Sequence, residues 1–102
     1  VRIPPRIFVF GGDTHSTVLD TTEVLNPATL SFTAGPRMSS PRSGCAVALL
    51  DRQRILVVGG CDGPRQNPEA RHLDSTEVLN LGTMRFQLGP RMRQGGGARP
   101  GG

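Results

Sequence analysis

Apolar residues in this chain occur in short runs that end at glycines or turn-forming residues, a pattern typical of strands. Two runs of four residues each stop at a glycine pair: residues 7–10 before Gly11-Gly12, and residues 55–58 before Gly59-Gly60. Because these runs hold β-branched, aromatic or leucine residues without polar alternation, each predicts a strand buried on both faces. A turn of buried helix is the alternative, but four residues are too few for a helix and the glycines end each run.

A longer segment occurs twice and makes the chain a repeat. Residues 20–38 and 74–92, offset by 54, agree at 12 of 19 positions, which is too dense for chance composition. The glycine pairs are offset by only 48, so the second copy is six residues longer between its glycine pair and the repeated segment. The extra residues fall within residues 61–73, a polar stretch rich in turn formers that predicts a loop.

Each copy contains three further elements after its glycine pair: a strand, a turn that begins with asparagine, and a short strand that ends at Gly-Pro. In the two copies they occupy residues 22–25 and 76–79, residues 26–29 and 80–83, and the surroundings of Phe32 and Phe86. Between the copies, residues 43–50 predict another strand, which a turn at 51–54 joins to the next one. The complete unit is a meander of four short strands, so the predicted fold class is all-β.

Four features, taken in this order, resemble the kelch repeat. They are Pro41-Arg42-Ser43-Gly44, the apolar strand that ends in Gly59-Gly60, Thr76-Glu77-Val78-Leu79-Asn80, and Phe86. In that family each repeat of about 50 residues forms one blade of a β-propeller. The resemblance therefore implies an all-β fold of antiparallel four-stranded meander repeats, arranged as part of a kelch-type propeller.

The resemblance also implies how the chain is divided. Residues 41–92 cover one complete repeat, and residues 7–38 cover the last three strands of the repeat before it. Residues 1–6 are expected to be a linker or the region of a missing first strand, and residues 93–102 a glycine-rich disordered tail. Because a ring needs roughly four to eight blades, we expect the chain to be a fragment of a longer propeller and to contact its remaining blades.

Two departures from the family pattern concern aromatic residues. Where the family usually has Tyr, the chain has Leu25 and Leu79, and where it usually has Trp, the chain has Phe32 and Phe86. The resemblance thus implies a divergent member whose blades bury smaller side chains. Both phenylalanines are expected to be buried in the assembled propeller.

Strand polarity in such a meander places three loops at one end, namely residues 13–19, 37–43 and 61–73. The resemblance implies that loops at this end bind partner peptides, and long loops on rigid scaffolds often carry function. The alternative is that these are ordinary solvated loop residues. The long loop is mildly basic, so we expect a protein or peptide partner with acidic side chains. The candidate partner-binding residues are Arg37, Arg42, Asp62, Arg65, Arg71, His72 and Arg91.

The recurring carboxylates and the histidines indicate no catalytic or metal site. Asp20 recurs as Asp74, and Glu23 recurs as Glu77. Recurrence in register favours a structural role, with an arginine or backbone amides as partners, over acid–base catalysis. The two histidines have no cysteine or carboxylate at metal-ligand spacing, and the glycine pairs open no helix that would hold a phosphate. We therefore expect no catalytic residue, no metal and no cofactor.

The two cysteines lie on neighbouring predicted strands. A hairpin turn at residues 51–54 would place Leu50 opposite Ile55 and Cys45 opposite Gly60, one residue from direct register with Cys61. A disulfide between adjacent strands would be strained, so we expect free, partly buried thiols.

Charge and segment composition narrow the function classes. The net charge is +4, and the 12 basic residues, all arginine, are scattered along the chain rather than clustered for nucleic-acid binding. No leader and no membrane-length apolar run is present, which favours an intracellular, cytoplasmic location.

The sequence is compatible with three classes of function. The first is a protein-interaction scaffold that presents loops to a partner. The second is the non-catalytic portion of a kelch-type propeller enzyme such as a copper radical oxidase, although this chain has no tyrosine to serve as a copper ligand. The third is arginine-mediated binding of nucleic acid, but the chain lacks the aromatic stacking residues that single-strand binders use. We expect the scaffold, and no enzyme activity from these residues.

Overall fold

The computed structural model describes residues 6–14, 16–64 and 66–93, and its regular secondary structure is entirely β. The strands are β1 (Ile7–Phe10), β2 (Thr22–Asn26), β3 (Ser31–Ala34), β4 (Ala46–Asp51), β5 (Arg54–Val58), β6 (Thr76–Asn80) and β7 (Arg85–Leu88). β1 to β3 form one antiparallel sheet and β4 to β7 form a second, each with its strands in chain order. The predicted all-β meanders are confirmed, and the described residues contain no helix. The expected linker at 1–6 and tail at 93–102 lie, apart from Arg6 and Arg93, outside the described residues.

The two sheets use the same strand register. β1 pairs with β2 so that Phe8 lies opposite Val24, and β5 pairs with β6 so that Leu56 lies opposite Val78. In the last strand of each sheet, a phenylalanine lies opposite a leucine of the preceding strand: Phe32 opposite Leu25, and Phe86 opposite Leu79. The sequence repeat is therefore a structural repeat, pair by pair.

The turns that lead into β3 and β7 are also equivalent. Asn26 and Asn80 each accept, at the side-chain oxygen, a hydrogen bond from the backbone amide two residues ahead, at 2.9 and 2.8 Å. Leu30 and Met84 both adopt a left-handed backbone with φ of 55°, and each donates its amide to the asparagine carbonyl at 2.7 Å. The predicted asparagine turns are confirmed, because asparagine satisfies the turn amides with its own side chain.

The hairpin between β4 and β5 differs from the sequence prediction by one residue. Leu49, not Leu50, lies opposite Ile55, and the register shifts between Leu49 and Asp51. Asp51 pairs with Arg54 across the turn, with its carboxylate 2.8 Å from Nε of the arginine. This pairing shortens the turn and leaves Leu50 as the extra residue of the irregularity.

Burial follows the number of neighbouring elements rather than the apolar pattern of each strand. Ile55 and Val57 of β5, which has a strand on each side, are 5% and 0% exposed. Their counterparts Ile7 and Val9 of β1, which pairs only with β2, are 49% and 41% exposed. The prediction that both strands are buried on both faces is therefore wrong for β1, whose outer edge has no neighbour among the described residues. It holds for one face of β5 only, because Leu56 and Val58 on the other face are half-buried.

The sheets contact one another through one face of each. Phe10 of β1 meets Phe86 of β7 edge to face, with ring centroids 6.3 Å apart. Met38, in the connection between the sheets, is 4% exposed. Phe32 is the counterpart of Phe86 but is 54% exposed, because no described element covers its face of the first sheet.

Candidate functional site

Three loops meet at one end of the sheets, as strand polarity predicted. The Gly12 amide donates to the Arg42 carbonyl at 2.8 Å, and the Arg42 amide donates to the Leu19 carbonyl at 3.0 Å. Ser43 and Cys61 exchange two backbone hydrogen bonds, at 2.9 and 2.8 Å. These bonds join residues 13–19, 37–43 and 61–73, which we call the loop end.

The short loop (residues 13–19) and the long loop (residues 61–73) are each closed by an equivalent pair of hydrogen bonds, which we call the loop frame. In the short loop the amide of Thr14 donates to the carbonyl of Thr17 at 2.8 Å, and in the long loop Asp62 donates to Arg71 at 3.0 Å. The side-chain oxygen of the first residue then accepts the amide of the last, at 3.1 Å from Thr14 and 2.8 Å from Asp62. The extra six residues of the second copy lie inside this frame.

The inserted part of the long loop has its own internal hydrogen bonds. The Asn67 amide donates to the Pro64 carbonyl at 2.9 Å, and the Ala70 amide donates to the Asn67 carbonyl at 3.1 Å. The Asn67 side chain also accepts the amide of Glu69 at 2.9 Å. Gly63 is buried against Ala70, where an added Cβ would stand 2.9 Å from the alanine Cβ. The inserted residues thus have hydrogen bonds of their own and extend from a loop frame that is also present in the first copy.

Two of the candidate arginines are exposed but already paired. Arg37 and Arg91 have side chains that are 73% and 74% exposed, and they form ion pairs with Asp20 and Asp74. Arg37 lies 3.1 Å from its aspartate. The structural role predicted for the recurring aspartates is confirmed, because each holds the arginine that follows the Gly-Pro end of its sheet.

Arg42 lies in the interior, not on the surface of the loop end where the sequence interpretation placed it. Its side chain is 0% exposed. Its Nε donates to Oε2 of Glu77 at 3.0 Å, and its terminal nitrogens donate to the Gly59 carbonyl at 2.8 Å, the Ser75 carbonyl at 3.0 Å and the Ser75 hydroxyl at 2.9 Å. A guanidinium with its donors so engaged is a structural clamp and is not available to a partner.

Glu77 is the centre of this clamp. It is 0% exposed, and besides Arg42 its carboxylate accepts the amides of Ser39 at 2.6 Å and Ser40 at 3.3 Å. The carboxylate thus fixes the connection from the first sheet against the second. Glu23, its counterpart in the first sheet, is exposed and has no such partner among the described residues.

The remaining candidate residues lie in the long loop. The side chains of Asp62, Arg71 and His72 are exposed, although Asp62 also holds the loop frame. Arg65 lies outside the described residues. The excess of positive charge expected from the sequence is absent from the described part of the loop end. Arg37, Arg42 and the nearby Arg91 each form an ion pair with a carboxylate. In the long loop, the negative charges of Asp62 and Glu69 balance the positive charge of Arg71.

The family model of the kelch motif matches residues 1–39 and 41–93. The chain belongs to the kelch-repeat family. Comparison with curated proteins gives no match. Each kelch match contains one of the two sheets, which are thus consecutive blades of a propeller that these residues do not close into a ring. Within the described residues the first blade has three strands and the second has four.

A structural device of these kelch blades was missed by sequence reasoning. Thr22 and Thr76 are buried residues, 2% and 4% exposed. In each blade the threonine hydroxyl donates to a proline carbonyl at 2.7 Å, Pro36 in the first blade and Pro90 in the second. Only glycine fits beside the first hydroxyl, since a Cβ on Gly35 would lie 2.4 Å from it. The signal was present, because the threonine, the glycine and the proline all recur between the two copies.

The thiols of the kelch blades are free and half-buried, as expected. Burial raises the pKa of the Cys45 thiol, against smaller opposing effects of its backbone hydrogen bond and of Arg42. A raised pKa makes the thiolate scarcer at neutral pH, which disfavours nucleophilic chemistry there. Among the described residues, no group of three or more His, Cys, Asp or Glu side chains is placed to hold a metal ion.

An open, shallow pocket lies at the opposite end of the second blade, at the turn between β4 and β5. It is lined by Asp51, Arg52, Gln53, Arg54 and Asn80. The amide of Gln53 and then the side chain of Arg54 lower the pKa of the Asp51 carboxyl. The carboxylate is thus already engaged in the turn. In the part of the chain that the structure describes, no helix has the length and apolar character needed to cross a membrane.

Proposed function

We propose that this chain is a protein-interaction scaffold in which the loop end of the kelch blades contacts a protein or peptide partner. The observation that carries the proposal is the loop frame shared by both blades, into which the second blade inserts residues 63–68. A rigid sheet with a variable loop at its end is the usual arrangement for recognition. Kelch repeats in general mediate protein–protein interaction, which supports the same class of function.

The insertion is the part of the loop end that offers a distinct surface. Asn67 and Glu69 are exposed, and the hydrogen bonds of Asn67 hold the projection in a folded shape. A pre-shaped loop binds with a smaller loss of conformational entropy than a loose one. We therefore assign partner contact chiefly to the insertion, with exposed Arg71 and His72 beside it.

The charge of the loop end favours a partner of mixed polarity over a strongly acidic one. Arg37 and Arg91 would have to leave Asp20 and Asp74 before they could pair with a partner's carboxylates. Surface ion pairs are weak, so such exchange is feasible, but the net gain is small. Partner binding should accordingly depend only weakly on salt.

We infer no catalytic role for these residues. Three of the four recurring carboxylates are engaged in the fold, since Asp20 and Asp74 pair with arginines and Glu77 is buried in the clamp. The fourth, Glu23, is exposed and has no second titratable side chain paired with it among the described residues. The raised pKa of the Cys45 thiol points the same way.

The test is a selection of binding peptides from a displayed library against the full chain, followed by affinity measurements on the selected peptides. A variant without residues 63–68 keeps the closing frame and serves as the comparison. A double variant at the opposite end, Arg52→Ala with Gln53→Ala, is the matched control. We expect the deletion to weaken the selected peptides and the control to leave them unchanged. Equal affinity for all three proteins would refute recognition by the insertion.

A further inference from the structure

The pocket at the turn between β4 and β5, which we call the turn pocket, lies where two turns are joined by a hydrogen bond. The hairpin turn at residues 51–54 holds the turn at residues 80–84, because the Leu81 amide donates to the Gln53 carbonyl at 2.7 Å. The cavity has a volume of about 390 Å³, which is within the range of sites that hold small molecules. The turn pocket is therefore large enough for a ligand of its own.

The arrangement of the turn pocket belongs to the second blade and is not part of the repeat. By the sequence offset, Leu81 and Gly82 correspond to Pro27 and Ala28 in the first blade. Proline has no amide hydrogen and cannot donate the bond that joins the two turns. A Cβ on Gly82 would lie 3.2 Å from the side-chain oxygen of Asn80, so an alanine there would press on a residue that lines the cavity. The architecture that the blades share thus does not require this cavity.

Asp51 and Asn80, which line the turn pocket, use their side-chain oxygens within the turns. One oxygen of the Asp51 carboxylate accepts the Gln53 amide at 2.9 Å, and the other accepts Nε of Arg54 at 2.8 Å. Oδ1 of Asn80 accepts two backbone amides of its own turn, at 2.8 and 3.2 Å. The negative charge in the lining is therefore already paired with a positive one.

The donors of the same lining have no such partners. Arg52 is exposed, and its guanidinium has no hydrogen bond or ion pair within the described ranges. Arg54 uses only its Nε, which leaves both terminal nitrogens open to a ligand. The side-chain NH₂ groups of Gln53 and Asn80 also have no acceptor in the part of the chain that the structure describes. The turn pocket thus presents four donor side chains, two of them cationic, against one paired carboxylate.

We propose that the turn pocket binds the phosphate group of a small phosphate ester. A phosphate group has three terminal oxygens and a charge of about −1.5 to −2 at neutral pH, so it can accept from both arginines and from an amide at once. A carboxylate has two oxygens in one plane and a single charge, and it leaves more of these donors without a partner. The remaining space of the cavity holds the organic part of the ester. The turn pocket lies at the end opposite the loop end, so it neither depends on nor competes with the partner contact proposed above.

The test is a titration of the isotope-labelled full chain with phenyl phosphate at constant ionic strength. We expect the amide signals of Gln53 and Leu81 to shift to saturation in two-dimensional NMR spectra. Acetate should leave them in place, and inorganic phosphate should bind more weakly than the ester because it leaves most of the cavity empty. Arg52→Ala should weaken the ester about 10- to 100-fold, as expected for loss of hydrogen bonds from a charged group. Arg93→Ala removes an exposed arginine that does not line the pocket, and it should leave the affinity unchanged.

Leu81→Pro separates a built site from general attraction of anions to arginine. It introduces the residue that the first blade has at the equivalent position, so the turn should still form, but it removes the amide that joins the two turns. We expect an unchanged circular dichroism spectrum and weaker binding of phenyl phosphate, although every arginine is retained. Any one of four results would overturn the proposal: no saturable shift, equal affinity for acetate or inorganic phosphate, equal affinity in Arg52→Ala, or equal affinity in folded Leu81→Pro.

Discussion

The two blades share their strand register, their asparagine turns and their threonine–proline hydrogen bonds, but they differ in burial. Ile55 is 5% exposed and its counterpart Ile7 is 49% exposed, although the two residues occupy the same register position. The second blade has a fourth strand and a sheet against one face, whereas the outer edge of β1 has no neighbour among the described residues. The local conformation is thus a property of each repeat, and burial is a property of its neighbours.

The largest difference between the blades is expected at the buried carboxylate Glu77 and its exposed counterpart Glu23. Glu77→Gln should lower the free energy of unfolding by about 3–5 kcal/mol, because it leaves the Arg42 charge buried without its partner. Glu23→Gln should change it by less than about 0.5 kcal/mol, because that side chain is exposed and unpaired. Urea unfolding followed by circular dichroism measures both. Similar losses from the two variants would mean that Glu23 is also held.

The isoleucine pair tests burial without charge. Ile55→Ala should cost about 2–4 kcal/mol, as for a buried aliphatic residue in a filled core. Ile7→Ala should cost less than about 1 kcal/mol, since nearly half of that side chain is already in water. The same denaturation experiment applies, and a large loss from Ile7→Ala would show that the edge of β1 is covered in solution.

Phe32 and Phe86 occupy equivalent positions on the faces of the two blades but differ in burial. Phe86→Ala should cost about 2 kcal/mol, less than for a fully buried ring, because Phe86 is half-buried against Phe10. Phe32→Ala should cost less than about 1 kcal/mol in this chain. The sequence-based expectation of two equally buried rings applies to an assembled propeller, where a blade would cover Phe32. Thermal unfolding of the two variants side by side distinguishes the cases.

The smallest effect is expected from the loop in which the copies differ most in length. Deletion of residues 63–68 should change the free energy of unfolding by less than about 1 kcal/mol, because the closing bonds between Asp62 and Arg71 remain and loop length enters only logarithmically. Hydrogen exchange at the Arg71 amide reports on the frame directly. Loss of protection there would mean that the insertion itself holds the loop closed.

Features that depend on a few neighbouring residues were predictable from the sequence. The asparagine turns, the strands before the glycine pairs and the meeting of the loops follow from local pattern and strand polarity. The recurrence of Asp20 in register predicts a structural role for it, although it does not identify Arg37 as the partner. These features need no knowledge of what else surrounds the blade.

Features that depend on distant elements were not predictable. The sequence pattern places Arg42 on a surface loop, because its acceptors on Glu77 and Ser75 lie more than 30 positions away. Ile7 and Val9 are exposed because no described element lies beside the outer edge of β1, and their own apolar pattern carries no information about neighbours. The shift at Leu50 arises because Asp51 closes the hairpin with Arg54, a choice among turns that composition leaves open.

The clamp also fixes where the chain enters the second blade. Arg42 lies before β4 and Glu77 lies on β6, so their ion pair ties the start of the second blade to its third strand, past β5. The amides of Ser39 and Ser40, which precede the blade, donate to the same carboxylate. The entering chain and the third strand are therefore held to each other by one buried side chain.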